Sequence, residues 1–229
     1  MNSEFELKQE TIGRRSNTQP LIYTDTEHPQ KYIAYDTFFR NMLKVEIRCV
    51  PFNTKPTFES ALKKASIESF NDKGVRTFAS CRAMSLKHSV ENLLRPCDYV
   101  VSTQKGFHID RAKRKGYLVA ATAIVHHNNL SVAQSSLLTL PESFVNDFIK
   151  LVPDHDMPKK IKERLSDILE DHYGIAVASK QVSLCDYLYT GLLTEPEWIT
   201  EGIRAASAPF TTKSLAFYKL YNSTNKSRA

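Results

Sequence analysis

The sequence predicts an α+β fold in which a mixed, largely antiparallel sheet lobe is followed by a C-terminal helical lobe. Residues 117–125 form an uncharged run that is too short to cross a bilayer and is typical of a buried strand. Residues 43–50 alternate apolar and charged side chains, as a half-buried strand does. From Pro141 onward the apolar residues recur at helical spacing. We therefore expect a loosely ordered arm at residues 1–31, an α/β lobe at 32–140 and a helical lobe at 141–229.

Strands and helices alternate in the predicted α/β lobe. Thr57 is a suitable N-cap for a helix, and Gly74 separates that helix from the next apolar run. Pro96 ends a short helix because proline cannot continue one. The predicted elements are a strand at 43–50, a helix at 58–70, a strand at 75–83, a helix at 86–94 and a strand at 97–103.

The central strand is predicted to enter a β-hairpin. Asn128 and Asn129 separate residues 117–125 from a second alternating run at 130–138. Since asparagine tolerates left-handed backbone, these two residues suit the tip of a hairpin.

The helical lobe is predicted from start and stop signals. Pro141 and Pro158 each suit the first turn of a helix, and Gly174 suits a helix end. Thr194 followed by Glu197 is a capping-box pattern. The predicted helices are 141–152, 158–173, 179–193, one that begins after Thr194, and one at 211–221.

Composition is typical of a globular protein and favours an anionic partner. The 229 residues include 31 Lys and Arg against 25 Asp and Glu, a formal net charge of +6. No apolar run is long enough to span a bilayer, and the first 12 residues lack the apolar segment of a signal peptide. We expect an intracellular protein, cytoplasmic or nuclear, that is neither secreted nor integral to a membrane.

Cofactor motifs are missing from the sequence. The four cysteines form no CxxC pair, and the seven glycines form neither GxGxxG nor GxxxxGK[ST]. We therefore expect no metal site and no cofactor.

A cluster of cations stands directly before the central strand. Because a buried strand is rigid, an anionic partner would meet these charges on a fixed support. A second cluster lies on the predicted helix at 158–173 and would contact a nucleic-acid backbone rather than read bases. The predicted nucleic-acid contacts are Arg111, Lys113, Arg114 and Lys115, with Lys159, Lys160, Lys162 and Arg164 as the second patch.

Histidines around the basic turn leave a catalytic alternative open. His108 precedes the turn, and His126 and His127 follow the central strand. A metal-free nuclease or other hydrolase needs little more than such rings and a cation to hold phosphate. The spacing matches no known catalytic motif, and we assign no catalytic residue.

The segments YDTFF at 35–39 and KVEIR at 44–48, then PF at 51–52, precede a predicted helix at 58–65 and the segment 76–83. In this order of elements, residues 35–83 resemble the opening of the vesiculovirus-type rhabdovirus matrix protein. The resemblance implies a non-enzymatic viral structural protein that binds anionic membrane and the nucleocapsid and that self-associates.

Taken together, these observations favour binding over catalysis. The first hypothesis is a basic protein that engages a polyanion, RNA or DNA, through backbone phosphates. The alternatives are a matrix-like protein that binds anionic membrane and self-associates, and a metal-free nuclease using His108 and His126 or His127.

Overall fold

Within the described residues, six strands form a sheet at the centre of the structure. A computed structural model describes residues 19–26, 28–52, 71–152 and 158–211, with the backbone alone for 158–162. The order across the sheet is β2-β1-β3-β4-β5, and β6 also pairs with β4. β1 is parallel to β2 and β3, and the other pairings are antiparallel. The strands are β1 (Leu21–Thr24), β2 (Arg48–Pro51), β3 (Tyr99–Asp110), β4 (Lys115–His126), β5 (Asn129–Gln134) and β6 (Leu138–Thr139).

Helices cover both faces of this sheet. One face carries α2, and the other carries α1, α7 and the helices that follow Pro141. The α+β class predicted from the sequence is therefore confirmed. The helices are α1 (Pro29–Leu43), α2 (Asp72–Val90), α3 (Glu142–Leu151), α4 (Pro158–Tyr173), α5 (Ile175–Ala178), α6 (Leu184–Leu188) and α7 (Glu195–Ser207), with short 3-10 turns at Glu91–Leu93 and Ala208–Phe210.

Strand β4 explains why the central run of the sequence is uncharged. Its odd-numbered residues from Val119 to Val125 pack against α2. Its even-numbered residues Leu118, Ala120 and Ile124 pack against the helices of the opposite face. Since successive side chains of a strand point to opposite faces, burial of both faces requires an apolar residue at nearly every position.

The strand predicted at 75–83 is wrong, because these residues lie inside helix α2. The Asn71 side chain accepts a hydrogen bond from the Gly74 N–H at 2.7 Å and so caps the helix start. The buried residues then recur at three- and four-residue spacing, which is the period of a helix rather than of a strand. They are Val75, Ala79, Ala83, Leu86 and Val90.

Two boundaries near the N-terminus also differ from the prediction. Residues 21–24, predicted within a loosely ordered arm, form the fully buried strand β1 between β2 and β3. The strand predicted at 43–50 is shorter, because α1 continues to Leu43 and β2 begins only at Arg48. Lys44 adopts a left-handed backbone and ends α1.

Most of the helix signals after Pro141 are confirmed. α3 and α4 lie where predicted, and Gly174 ends α4 with a φ of 82°. The capping box of Thr194 and Glu197 opens α7. The single helix predicted at 179–193 is wrong, because residues 179–183 are not helical and α6 covers only Leu184–Leu188, with Ser183 as its cap.

Several predictions fall outside the described residues. They concern residues 1–18 of the arm, the helix at 58–70 and residues 212–221 of the last helix. Among the helices of the described part, none is both long enough and apolar enough to cross a bilayer.

Candidate functional site

The basic turn between β3 and β4 is only partly available to a partner. Arg111 donates hydrogen bonds to the carbonyls of Ile149 and Val152, and its guanidinium lies 5.9 Å from the centre of the Phe148 ring. Arg164 donates to the Leu151 carbonyl at 2.6 Å. Because these carbonyls lie at the C-terminal end of α3, both arginines stabilise that helix end.

The remaining cations of the turn are exposed. Lys113 forms an ion pair with Asp110 at 3.3 Å, and the hydrogen bond from the Lys113 N–H leads the effects that lower the Asp110 pKa. Arg114 occupies a left-handed backbone conformation at the tip, and Lys115 begins β4. The structure thus leaves three exposed cations at the hairpin end, of which Lys113 is paired.

The second predicted patch is described only in part. Lys159, Lys160 and Lys162 lie on the backbone of α4, and their side chains are outside the described residues. Arg164, the fourth member, serves the end of α3 as shown above.

The structure does not bring the predicted catalytic histidines together. His108 pairs with Tyr117 and His126 pairs with Tyr99, so nine residues of β4 separate the two positions. At about 3.4 Å per residue this distance is about 30 Å. His126 stacks on the Tyr99 ring at 4.0 Å and its Nδ1 lies 2.9 Å from the Asp98 carbonyl, while burial lowers its pKa. His127 lies beside His126 in the hairpin turn, at the same far end.

A cavity of about 810 Å³ opens where strand β1 ends. Strand β3 pairs with β1 only at residues 99–101 but continues to Asp110. Beyond Thr103, the edge of β3 that β1 leaves unpaired therefore faces the cavity. The first turn of α1 and the start of α2 form adjacent walls, and α4 to α6 close the opposite side. A crevice beyond the carboxyl end of a parallel strand is a frequent ligand position in sheets that carry helices on both faces.

Lys31 is the central polar group of this cavity. Its ammonium donates to the Thr103 carbonyl at 2.5 Å, just past the point where β1 stops pairing. Burial lowers the Lys31 pKa to about 8, and the Asp25 carboxylate only partly opposes this. Among the described residues no carboxylate lies within 4 Å of the ammonium, so its charge is not neutralised by a direct partner there.

Lys105 and Glu195 form a second polar group beside Lys31. The Lys105 ammonium lies 2.6 Å from the Glu195 Oε1, and the Ser183 hydroxyl donates to the other carboxylate oxygen. Burial opposes the charge of Glu195, but the ammonium and the two hydrogen bonds outweigh it and lower the carboxyl pKa. The pair joins β3 to the start of α7 and to the loop before α6.

Beneath these groups, Asp25 organises the end of β1. Its Oδ2 forms an ion pair with Arg82 on α2 and accepts a hydrogen bond from Ser102 on β3, each at 2.8 Å. The carboxylate is buried, and its Oδ1 has no hydrogen-bond partner within the described part of the chain. Asp25 therefore fixes the position of the loop from which α1 starts.

His28 completes the polar end of the cavity as a neutral ring. Burial leads the effects that lower its pKa, and the neighbouring Lys105 charge adds to them. His28 is the N-cap residue of α1 and provides no side-chain cap. The first N–H groups of a helix have no acceptor within the helix. In α1 these donors are the N–H groups of Gln30 and Lys31, because Pro29 has no N–H.

This site is not among the sites predicted from the sequence. Lys31 falls at the end of the predicted loosely ordered arm, and Lys105 and Glu195 belong to no motif. The sequence does contain one signal for the elements that form this site. The run at 21–24 is followed by a polar segment that ends in Pro29, which is the pattern of a strand followed by the start of a helix. Across the described residues, no cluster of three or more His, Cys, Asp or Glu side chains is arranged to hold a metal ion.

Comparison with known proteins supports the fold and leaves the function open. No family model matches the chain, and no curated protein matches it. Among solved structures the chain is similar to protein VC0702 from Vibrio cholerae, with 15% sequence identity and a TM-score of 0.57. The similarity covers 87% of this chain and 93% of that one. At this identity it establishes that the two proteins share a fold.

Proposed function

We propose that this protein binds a small anionic molecule in the cavity at the end of β1. The observation that carries the proposal is the part-buried Lys31 ammonium, which has a backbone carbonyl as its acceptor and, among the described residues, no carboxylate within 4 Å. A buried charge is costly unless a charge of opposite sign accompanies it. An anion bound beside Lys31 would supply that charge.

The surrounding groups favour the same ligand charge. Lys31, Lys105 and Lys180 line the cavity against the single carboxylate of Glu195 among its described lining residues, so the lining carries a net positive charge. The first turn of α1 lines the same cavity, and a helix N-terminus attracts anions. The proposed role is binding, and no reaction is assigned to the site.

Calorimetric titration with acetate and with inorganic phosphate tests this proposal. We expect saturable binding of at least one of the two anions and at least a tenfold loss of affinity in Lys31→Met. Lys150→Met is the matched control, because Lys150 is exposed on α3 away from the cavity lining. Equal affinity in both variants, or no binding by the native protein, would contradict the proposal.

A second proposal retains nucleic acid as a partner of the hairpin tip. It is supported by the exposure of Lys113, Arg114 and Lys115 and by the net charge of +6. Arg111 is not part of this proposed surface, because it binds the end of α3.

Electrophoretic shift with single-stranded RNA, single-stranded DNA and duplex at two salt concentrations separates the two proposals. Simultaneous change of the three tip cations to glutamine should abolish a salt-sensitive shift, whereas Lys31→Met should leave it unchanged. Flotation with anionic liposomes examines membrane binding, the other partner that the matrix-protein resemblance implies. Unchanged migration of all three nucleic acids at low salt would end the nucleic-acid proposal.

A further inference from the structure

The cavity is much larger than the anionic head group that would bind beside Lys31. One water molecule occupies about 30 Å³ in the liquid, so a carboxylate or phosphate head requires only a small part of the 810 Å³. The remaining volume suits a molecule of on the order of 20 non-hydrogen atoms, which is the usual scale of an organic ligand site. The composition of the other walls therefore decides what the rest of the ligand is.

Those walls are predominantly apolar. Aromatic and aliphatic side chains come from α2, from the two longest strands and from the helical segment that closes the cavity. They belong to four separate parts of the chain. The side chains are Phe78, Phe107, Leu118, Leu165, Leu169 and Val182.

Three charged groups of the lining, Lys31, Lys105 and Glu195, lie close to one another. Lys31 and Lys105 lie on neighbouring elements, and Lys105 is joined to Glu195. The Glu195 carboxylate repels a second negative charge placed close to it, because like charges in a poorly solvated site disfavour each other. This arrangement suits a head that carries about one negative charge rather than several.

We infer that the ligand is an amphipathic monoanion, with a carboxylate head beside Lys31 and an apolar body against the side chains of α2, α4 and the α5–α6 segment. This inference rests on the proposed function, because it assigns the chemical class of the anion. The head contributes the charge that Lys31 lacks, and the body removes apolar lining from water.

Titration with octanoate, octyl phosphate, octanol and acetate tests the inference. We expect octanoate to bind at least a hundredfold more tightly than acetate, because the alkyl chain adds apolar burial. Octyl phosphate should bind more weakly than octanoate, because its head carries between one and two negative charges at neutral pH. Octanol should bind more weakly than the charged octyl compounds. In Lys31→Met the affinity for the charged octyl compounds should fall at least tenfold, while the affinity for octanol should change less than twofold.

A pair of surface variants tests the position of the apolar body. Val182 lines the cavity, whereas Ile175 is 69% exposed and does not line it. Val182→Asn should weaken octanoate at least threefold without changing acetate, and Ile175→Asn should change neither. Both positions are exposed on the same helical segment, so loss of folding is not expected in either variant.

The outcomes distinguish this inference from the proposed function. Acetate or phosphate binding that requires Lys31, with no gain from an octyl chain, would overturn the inference and leave the proposed function standing. Failure of every anion to bind would overturn both. Tighter binding of octyl phosphate than of octanoate would overturn the assignment of a singly charged head.

Discussion

Lys31 keeps its charge in surroundings that oppose ionisation. Its pKa of about 8 lies well below the usual value of 10.5 because burial disfavours the ammonium. Between these two pH values the unfolded chain binds a proton that the folded protein does not. The contribution of this residue to the free energy of unfolding therefore rises with pH from about 8 to 10.5. At neutral pH the residue weakens the fold, as the trade-off between stability and function allows for the binding role proposed above.

The same pKa predicts the pH dependence of anion binding. Below pH 8 the ammonium is present in the free protein, so affinity should be constant there if the ligand does not titrate. Above pH 8 each further pH unit should reduce affinity by up to tenfold, because the proton must be restored before the anion is held. Titrations between pH 6.5 and 9.5 with octanoate, which stays ionised throughout, measure this. Constant affinity across the range would show that the Lys31 charge takes no part.

Arg111 illustrates how charge in a sequence differs from charge at a surface. The sequence places it in a run of four cations, and the structure uses it to hold the end of α3. A guanidinium has several donors in a fixed fork and suits two neighbouring carbonyls. The sequence could not predict this, because the carbonyls of Ile149 and Val152 are 38 and 41 residues away along the chain.

At the scale of the elements, strand β4 and helix α3 pack unusually closely at Gly116. A Cβ at Gly116 would lie 2.6 Å from the Val145 Cγ2 and 3.2 Å from the Leu140 Cδ1. The packing of α3 against the sheet therefore depends on the absence of a side chain at this position.

Gly116→Ala should lower the free energy of unfolding by about 1–3 kcal/mol, the usual effect of overpacking a well-packed site. Chemical denaturation measures it. In the double variant Gly116→Ala with Val145→Ala the clashing methyl group is absent, so the two effects should be less than additive. Strict additivity would show that the close contact is not the cause.

The start of α7 provides a second prediction at this scale. The Thr194 hydroxyl accepts from the Glu197 N–H at 3.4 Å, and the Glu197 carboxylate accepts from the Thr194 N–H at 2.8 Å. Loss of the cap in Thr194→Ala should lower the free energy of unfolding by about 1 kcal/mol. Thr139→Ala is the control, because Thr139 is exposed on β6 and lies at no described helix start. Equal effects of the two substitutions in denaturation experiments would contradict the role of the cap.

For the whole molecule, the core connects the predicted α/β and helical lobes. Ile199 and Ile203 of α7 share a buried cluster with Ile22 of β1 and Tyr35 of α1. The side chain of Trp198, the only tryptophan, is buried and donates to the Ser136 carbonyl at 2.8 Å. A helix that completes the core of the sheet should not unfold independently of it.

We therefore expect one cooperative unfolding transition. Trp198 fluorescence reports on α7 and its surroundings, and far-ultraviolet circular dichroism reports on all helices and strands. The two denaturation curves should coincide in midpoint and slope. Two separated transitions would show that residues 141–229 unfold as a lobe of their own.

The sequence by itself determined the local elements that follow from short-range chemistry. The apolar run of β4, the glycine end of α4 and the capping box of α7 are each set by neighbouring residues, and each lies where predicted. The α+β class follows from the same signals. The strand predicted at 75–83 failed because Val, Phe and Ala suit both a buried strand and a buried helix, and only the cap at Asn71 and packing on the sheet select the helix.

Only the tertiary structure decided where the candidate site lies. It brings together Lys31, Lys105 and Glu195, which are separated by 74 and 90 residues and share no motif. The sheet order places β1 beside β3, and the greater length of β3 leaves an open edge at which the cavity forms. Sequence patterns report contacts between near neighbours, whereas a cavity arises from the arrangement of distant elements. The burial that sets the charge state of Lys31 therefore exists only in the folded protein.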